Sequence, residues 1–144
     1  MGTATLPEAH GAILTVGGHD HLAAAAGAGA AGEGDVMNSC GTAEAFACDV
    51  SRQHEVARTF AAVEDKYGSL DILVNSAGVA HVGTLETTTE DDLDRVYNVN
   101  VKGVYNCLKA AIPTMKDRGG AILNIASIAS TVGIADRFAY SMTK

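Results

Sequence analysis

The chain has 144 residues, 47% of them apolar, which is enough for one domain with a buried core. Its 17 acidic and 10 basic residues give a formal charge of −7, which argues against nucleic acid or an anionic membrane surface as a partner. No apolar run reaches the roughly 20 residues of a membrane span, and the first 12 residues lack a signal-peptide pattern, so we expect a cytoplasmic location.

The first 44 residues are atypical, and we predict an opening strand within them. Residues 12–16 are a short apolar run that ends at two glycines. Residues 22–34 are almost wholly Ala and Gly and are of low complexity. Residues 27–32 match the letters of a dinucleotide-binding fingerprint, but no strand precedes them to deliver the glycines to a helix start, so we interpret the match as chance composition.

The cysteine and histidine pattern does not indicate a metal site. Cys40, Cys48 and Cys107 show neither Cys-x-x-Cys spacing nor a histidine at zinc-ligand intervals, and we expect them to serve as small buried side chains. His19 and His21 could form half of a metal site, but no third ligand lies nearby in the sequence. We therefore predict no metal ion.

The middle of the chain alternates between strand and helix patterns. We predict a short strand over residues 45–50, a helix over 52–67 capped by Ser51 and ended by Gly68, and a strand over 70–74. The last of these is apolar apart from Asp71, as expected for a parallel strand covered on both faces. The apolar residues of the helix recur at helical spacing: Val56, Phe60, Val63 and Tyr67.

A longer helix is predicted over residues 89–115. Thr89 and Asp92 have the spacing of a capping box, with Asp in place of the preferred Glu. Asn100 falls on the apolar stripe and should point inward, where its amide needs partners, whereas Asn98 and Asn106 lie off the stripe and are expected to be solvated. The stripe consists of Leu93, Val96, Tyr97, Val104, Leu108, Ala111, Ile112 and Met115.

The last predicted strand covers residues 121–126 and is followed by Ser127. The order of strands and helices implies an α/β fold: a doubly wound parallel sheet in a three-layer α/β/α arrangement, with ligands bound at the carboxyl ends of the strands. The strand ending at Ala126 would be an uncovered apolar edge. The fold predicted for residues 1–144 is thus a single Rossmann-like domain.

Tyr140 and Lys144 are four residues apart, a spacing that places two side chains on one face of a helix. The ammonium can then favour the ionised phenol, which matters because an unperturbed tyrosine is a poor base at neutral pH. Taken alone, the pair is equally compatible with an ordinary surface pair. Its position behind three other motifs makes it specific: Asn75-Ser76-Ala77-Gly78, Asn98-Val99-Asn100-Val101-Lys102-Gly103 and Asn124-Ile125-Ala126-Ser127.

On these motifs, residues 45–144 resemble the short-chain dehydrogenase/reductase family, with Ser76 in place of the second Asn of the family's Asn-Asn-Ala-Gly signature. The resemblance implies an NAD(P)-dependent oxidoreductase that transfers hydride between nicotinamide and a hydroxyl or carbonyl carbon. Tyr140 would be the acid/base, Lys144 would assist it and bind the nicotinamide ribose, Ser127 would steady the substrate oxygen, and Asn100 would hold a water in a proton relay.

The resemblance also implies cofactor contacts. Asp49 and Val50 correspond to the pair that contacts adenine, and Gly17 follows the first strand where the family's glycine loop begins. Further cofactor-binding positions by resemblance are Asn75, Ala77, Gly78, Tyr140 and Lys144. Glu33 and Asp35 favour NAD over NADP, because acidic residues bind ribose hydroxyls, but both cofactors stay open. A small alcohol or carbonyl substrate and a homo-oligomer are expected.

Two departures from the family pattern bear on activity. The later glycines of the loop after Gly17 are absent, and the second strand is reduced to about residues 35–37 or has been replaced. The sequence also stops at Lys144, so the pair with Tyr140 would be held loosely, because helix ends fray. We expect an incomplete chain with weak or no activity. The alternatives are a non-catalytic module that pairs with a full-length relative, and a chain that forms no stable product.

Overall fold

The computed structural model describes residues 12–16, 37–39 and 43–144, and all structural statements below concern these residues. They contain five strands, namely Ala12–Val16 (β1), Met37–Ser39 (β2), Ala43–Ala45 (β3), Leu70–Asn75 (β4) and Ala121–Asn124 (β5). The α-helices are Gln53–Tyr67 (α1), Glu90–Tyr97 (α2), Gly103–Met115 (α3) and Phe138–Met142 (α4). A π-helical turn, Asn98–Lys102, joins α2 to α3, and a 3-10 turn, Ile128–Ser130, follows β5.

The main sheet is parallel, with strand order β1-β4-β5. Ile13 pairs with Ile72 on one side of β4, and Leu73 pairs with Ile122 on the other. This arrangement confirms the predicted parallel α/β sheet and the predicted strands at residues 12–16, 70–74 and 121–126, although β5 ends two residues early. None of the helices described is long and apolar enough to cross a membrane.

The predicted strand over residues 45–50 is wrong. Residues 43–45 belong instead to β3, which pairs antiparallel with β2, and residues 46–49 form no regular element. The reason is local: the Asp49 carboxylate accepts hydrogen bonds from the backbone and hydroxyl of Ser51, and the backbone N–H of Asp49 is bound by Glu55. Such side-chain bonds compete with strand pairing. Of the second-strand candidate at 35–37, Met37 lies in β2 and the rest lies outside the described residues.

Helix α1 begins and ends almost where predicted. Its N-cap is Arg52, without a side-chain cap, so the prediction of Ser51 as the cap is wrong; the Ser51 hydroxyl donates to Asp49 instead. Gly68 ends the helix as predicted, with a φ of 74° and its N–H donating to the carbonyl of Glu64. A left-handed φ of this kind is open to glycine without strain.

The predicted helix over residues 89–115 is present, with one π turn in it. The Thr89–Asp92 capping box is confirmed in both directions. In the π turn the N–H of Gly103 donates to the carbonyl of Asn98, five residues back instead of four. This wider turn changes the phase of the helix that follows it, where the predicted stripe fails at Ile112, which is about half exposed. The stripe also fails before the turn, at Tyr97, which is about half exposed as well.

The core lies between α1, α3 and β4. Val56 and Phe60 of α1, Leu73 of β4, and Cys107 and Ala111 of α3 are buried together. β5 is the last strand of the main sheet, and nothing in the described part of the chain covers it. Residues 121–126 are all exposed, and the exposed fraction of Leu123 is 53%. The predicted open apolar edge is therefore present.

Candidate active site at the carboxyl ends of β4 and β5

Asn100 is the most completely bonded side chain of the site. It is only 5% exposed, its Oδ1 accepts from the backbone N–H of Val79 at 2.8 Å, and its Nδ2 donates to the carbonyl of Val79 at 3.0 Å. Nδ2 also donates to Oγ1 of Thr143 at 2.9 Å. The prediction that Asn100 points inward is confirmed. Its place inside the π turn fits the frequent occurrence of such turns at functional sites.

Thr143 connects this asparagine to the turn that carries Tyr140. The Thr143 side chain is buried, and its Oγ1 donates to the carbonyl of Tyr140 at 3.0 Å, as does its backbone N–H at 3.1 Å. Tyr140 itself is half-buried on α4. Thr143 was not among the predicted site residues, because nothing in its local sequence indicates a partner more than 40 positions away.

Lys144 lies just beyond the end of α4 and is held by tertiary contacts. Its Nζ donates to the carbonyl of Ile125 at 3.2 Å. A Cβ placed on Gly78 would lie 3.0 Å from this Nζ and 3.5 Å from Oδ1 of Asn100, so a side chain at this position would displace the end of Lys144 slightly. Three predicted site residues, Gly78, Asn100 and Lys144, therefore meet at one point.

Ser127 stands at the carboxyl end of β5, as predicted. Its Oγ accepts from the backbone N–H of Ala129 at 3.2 Å and caps the 3-10 turn against which α4 packs. Because the oxygen accepts in this bond, the hydroxyl proton remains a donor for another group. The residue is half-buried, two positions after the Ile125 carbonyl that binds Lys144.

Gly83 fixes the start of α4. Its N–H donates to the carbonyl of Asp136 at 3.0 Å, and its carbonyl accepts from the N–H of Phe138 at 3.2 Å, which makes a parallel bridge to Arg137. Asp136 has a φ of 56°, a left-handed conformation that aspartate tolerates better than most residues. Sequence reasoning missed Gly83, whose partners lie in a distant segment.

Asn75 joins the carboxyl ends of β4 and β5 next to the site. Its Nδ2 donates to Oδ1 of Asn124 at 2.8 Å, and its backbone carbonyl accepts from the N–H of Ile125. The Asn75 Oδ1 is buried, and no hydrogen-bond partner for it lies in the described part of the chain. Ala77 in the following turn is buried and Gly78 is half-buried.

Asp49 and Val50 form a second cluster, at the start of the segment before α1. The exposed Asp49 carboxylate lies 3.3 Å from Nε of Arg52, and Val50 is buried. The carbonyl of Val50 accepts from Nδ2 of Asn106 at 2.8 Å. Asn106 is only 1% exposed, so the prediction that it is solvated is wrong: the π turn rotates it inward. Gly17 lies outside the described residues.

Shifted pKa values occur away from these clusters. Burial raises the pKa of the Cys107 thiol to about 12, and burial also raises that of Cys48. The prediction of a small buried side chain is confirmed for Cys107, while Cys48 is half-buried and Cys40 lies outside the described residues. A hydrogen bond from Thr89 lowers the pKa of Asp92, as expected for a carboxylate at a helix start.

No metal site is found among the described residues, because they contain no group of three His, Cys, Asp or Glu residues that could hold an ion. The pair His19 and His21, and the fingerprint-like residues 27–32, lie outside them. The geometry thus brings together an amide, an ammonium, a serine hydroxyl and a phenol-bearing turn at the end of a parallel sheet, where ligands of such sheets bind.

Comparison with known proteins identifies close likenesses. The family profile described as Enoyl-(Acyl carrier protein) reductase matches residues 3–144. A 3beta-hydroxysteroid dehydrogenase of Mediterraneibacter gnavus is 35% identical over 105 residues, which are 72% of this chain and 38% of the relative. A 2-(R)-hydroxypropyl-CoM dehydrogenase of Xanthobacter autotrophicus is 39% identical over 100 residues, which are 67% of this chain and 40% of the relative.

Solved structures of similar sequence also superpose on this chain. A xylitol dehydrogenase with bound NAD+ superposes with a TM-score of 0.65 at 33% identity, over 69% of this chain and 39% of that one. The structure of ElxO with bound NADP gives a TM-score of 0.63 at 36% identity, over 66% of this chain and 39% of that one. The chain thus spans about two fifths of the length of these relatives.

Proposed function

The chain belongs to the short-chain dehydrogenase/reductase family, and from this we propose that its site serves hydride transfer between a nicotinamide cofactor and a hydroxyl or carbonyl carbon. The observation that carries the proposal is the meeting of Gly78, Asn100 and Lys144, with Thr143 linking Asn100 to the turn of Tyr140. These residues are far apart in sequence and converge at the carboxyl ends of β4 and β5.

The residues present fit a nicotinamide dinucleotide. Gly78 leaves space beside Lys144 that any side chain would fill, and the ammonium has three N–H donors, of which Ile125 takes one. We assign the ribose of the nicotinamide half to Lys144, the lining of the turn to Asn75, Ala77 and Gly78, and the adenine end to Asp49 and Val50, with Gly17 and Tyr140 as further contacts. When bound, the cofactor supplies or accepts the hydride.

The chain's own residues would move and hold the proton. We assign to Tyr140 the proton transfer with the substrate oxygen, to Ser127 the hydrogen bond that holds this oxygen, and to Lys144 the positive charge that favours the phenolate. Asn100 would hold the arrangement through its side-chain bonds to Val79 and Thr143, and we also assign to it the water of the proton relay. These roles together would supply the acid/base chemistry at the oxygen of an alcohol or carbonyl substrate.

The cofactor and the substrate class are assigned from related structures and from the acidic residues near the start of the chain. Related structures carry NAD in one case and NADP in another, and the acidic Glu33 and Asp35 lead us to favour NAD for this chain. We propose a small alcohol or carbonyl as substrate, a homo-oligomer as the working form and the cytoplasm as the location. We treat residues 1–144 as one partial dinucleotide-binding domain with low or no turnover.

The cofactor assignment is tested by titrating the folded chain with NADH and with NADPH and following nicotinamide fluorescence, which no tryptophan of the chain disturbs. We expect saturable binding that Lys144→Met weakens about tenfold or more, because a charge-assisted hydrogen bond is lost. Lys116→Met, at an exposed lysine, is the control for lost charge. Absence of binding by the folded chain would contradict the cofactor assignment, and rapid alcohol oxidation would contradict low turnover.

A second candidate function is a non-catalytic module that pairs with a full-length relative. It is favoured by one observation, the exposed apolar residues along β5 and just after it: Ile122, Leu123 and Ile125. An open strand edge of this kind can accept another strand. Light scattering of a mixture with an intact relative should then show a complex of defined mass, and two unchanged components would exclude this function.

A further inference from the structure

We propose that Thr143 is a positioning residue that sets the place of Tyr140 and Lys144 by tying their turn to Asn100. The inference rests on the proposed hydride-transfer function of the site. It concerns a residue that carries no assigned role in that function. It follows from one hydroxyl group and the two hydrogen bonds that this group makes.

The Thr143 hydroxyl acts as acceptor and donor at the same time. It accepts from Nδ2 of Asn100 at 2.9 Å and donates to the carbonyl of Tyr140 at 3.0 Å. Only a hydroxyl side chain can make both bonds from one atom at this position. The residue is 7% exposed, so water has little access to replace either bond.

The bond joins this turn to a side chain that is itself held in place. Thr143 follows directly after α4, which covers Phe138–Met142. Asn100 is fixed by two bonds to the backbone of Val79. The bond through Thr143 therefore transmits the fixed position of Asn100 to the carbonyl of Tyr140, and Lys144 is the next residue along the chain.

Ser141 provides a matched comparison within the same turn. It also carries a hydroxyl whose oxygen is buried, but that oxygen has no hydrogen-bond partner in the described part of the chain. Ser141→Ala therefore removes a buried hydroxyl from α4 without removing the bond to Asn100. Any effect specific to Thr143 must come from its bonds and not from the loss of a hydroxyl as such.

The test compares the wild-type chain with Thr143→Val, Thr143→Ser, Thr143→Ala and Ser141→Ala. Two quantities are measured: the side-chain amide resonances of Asn100 in ¹⁵N NMR spectra, and the dissociation constant of NADH. We expect Thr143→Val and Thr143→Ala to shift the Asn100 resonances and to weaken NADH binding about tenfold, as the loss of one buried hydrogen bond allows. Thr143→Ser should restore both quantities, and Ser141→Ala should leave both unchanged.

The inference is overturned if Thr143→Val or Thr143→Ala matches wild type in both quantities, if Ser141→Ala changes them equally, or if Thr143→Ser fails to restore them. Should Thr143→Val not fold, the smaller Thr143→Ala and the rescue by serine decide in its place. If the wild-type chain binds neither NADH nor NADPH, the proposed function fails, while the Asn100 resonances still decide whether Thr143 holds Asn100.

Discussion

The side-chain Nδ2 of Asn106 donates a buried hydrogen bond of 2.8 Å to the backbone carbonyl of Val50, 56 positions earlier in the chain. This bond joins α3 to the turn that precedes α1, where the proposed adenine contacts lie. It also satisfies a carbonyl that water does not reach. The position of Val50 is thus set from α3, because residues 46–49 before it form no regular element.

Replacing Asn106 should therefore destabilise the fold. We expect Asn106→Ala to lower the free energy of unfolding by about 1–3 kcal/mol, because the Val50 carbonyl is left buried without a donor. Urea denaturation followed by circular dichroism measures the change. Asn98→Ala, at a half-buried asparagine in the π turn, is the control and should cost less. Equal costs for the two variants would contradict the role of this bond.

Gly103→Ala should be destabilising, although alanine normally favours a helix by about 1 kcal/mol over glycine. A Cβ at Gly103 would lie 2.7 Å from Cγ2 and 3.2 Å from Cβ of Val50, so one of the two segments must move. We expect a loss of roughly 1–3 kcal/mol in unfolding free energy, typical of overpacking. Gly133→Ala, where a Cβ meets nothing within 4 Å, should leave the urea midpoint nearly unchanged.

Cys107 should resist alkylation in the folded state, because burial raises its pKa to about 12 and only the thiolate reacts. Mass spectrometry after iodoacetamide treatment at pH 8 should find Cys107 unmodified in native buffer and fully modified in urea. Its pKa rises on folding from a reference value of 9.0, so the neutral thiol favours the folded state, and stability should fall as pH rises above about 9. Rapid native labelling would contradict this burial.

The Thr89–Asp92 capping box should stabilise the folded state at neutral pH and lose part of this effect at acidic pH. Thr89→Ala removes the cap to the backbone of Asp92 and should cost about 1 kcal/mol of unfolding free energy. The folded-state pKa of Asp92 is lowered, chiefly by Thr89, so its contribution is present above the unfolded-state value near 3.8 and is lost as pH falls through the folded-state value. A cost that does not shrink on acidification would argue against the charged cap.

A charge on the open strand should reduce self-association. Leu123 is 53% exposed on β5, and lysine at such an edge opposes pairing with other strands. We expect Leu123→Lys to lower the mass seen by light scattering at high protein concentration with little change in the urea midpoint. Val132→Lys, at an exposed apolar residue outside the strand, is the control. Equal effects of both variants would indicate general solubility and not edge pairing.

Sequence patterns predicted the features that depend on near neighbours. The stop at Gly68, the Thr89–Asp92 cap and the inward face of Asn100 follow from local conformation and helical spacing. The features that the sequence did not reveal depend on contacts across long separations. Gly83 binds the start of α4, Thr143 binds Asn100 across 43 positions, and no local pattern encodes either meeting.

The wrong predictions have local physical reasons as well. The strand over residues 45–50 fails because Asp49 and Ser51 bind nearby backbone groups, which apolar periodicity does not register. Asn106 and Ile112 were assigned to the wrong sides of the helix because a uniform period of 3.6 residues takes no account of a π turn between them and the helix start.

The π turn sets how far α3 is rotated about the helix axis relative to α2. Within the turn, Asn100 binds the backbone of Val79, and in the helix after the turn, Asn106 binds the carbonyl of Val50. Each residue in an α-helix advances the rotation by about 100°, so trimming this turn by one residue would swing everything after it by that angle. Both asparagines could then no longer bind their partners at once, and the two clusters that we propose to hold the nicotinamide and adenine ends of the cofactor would shift relative to each other.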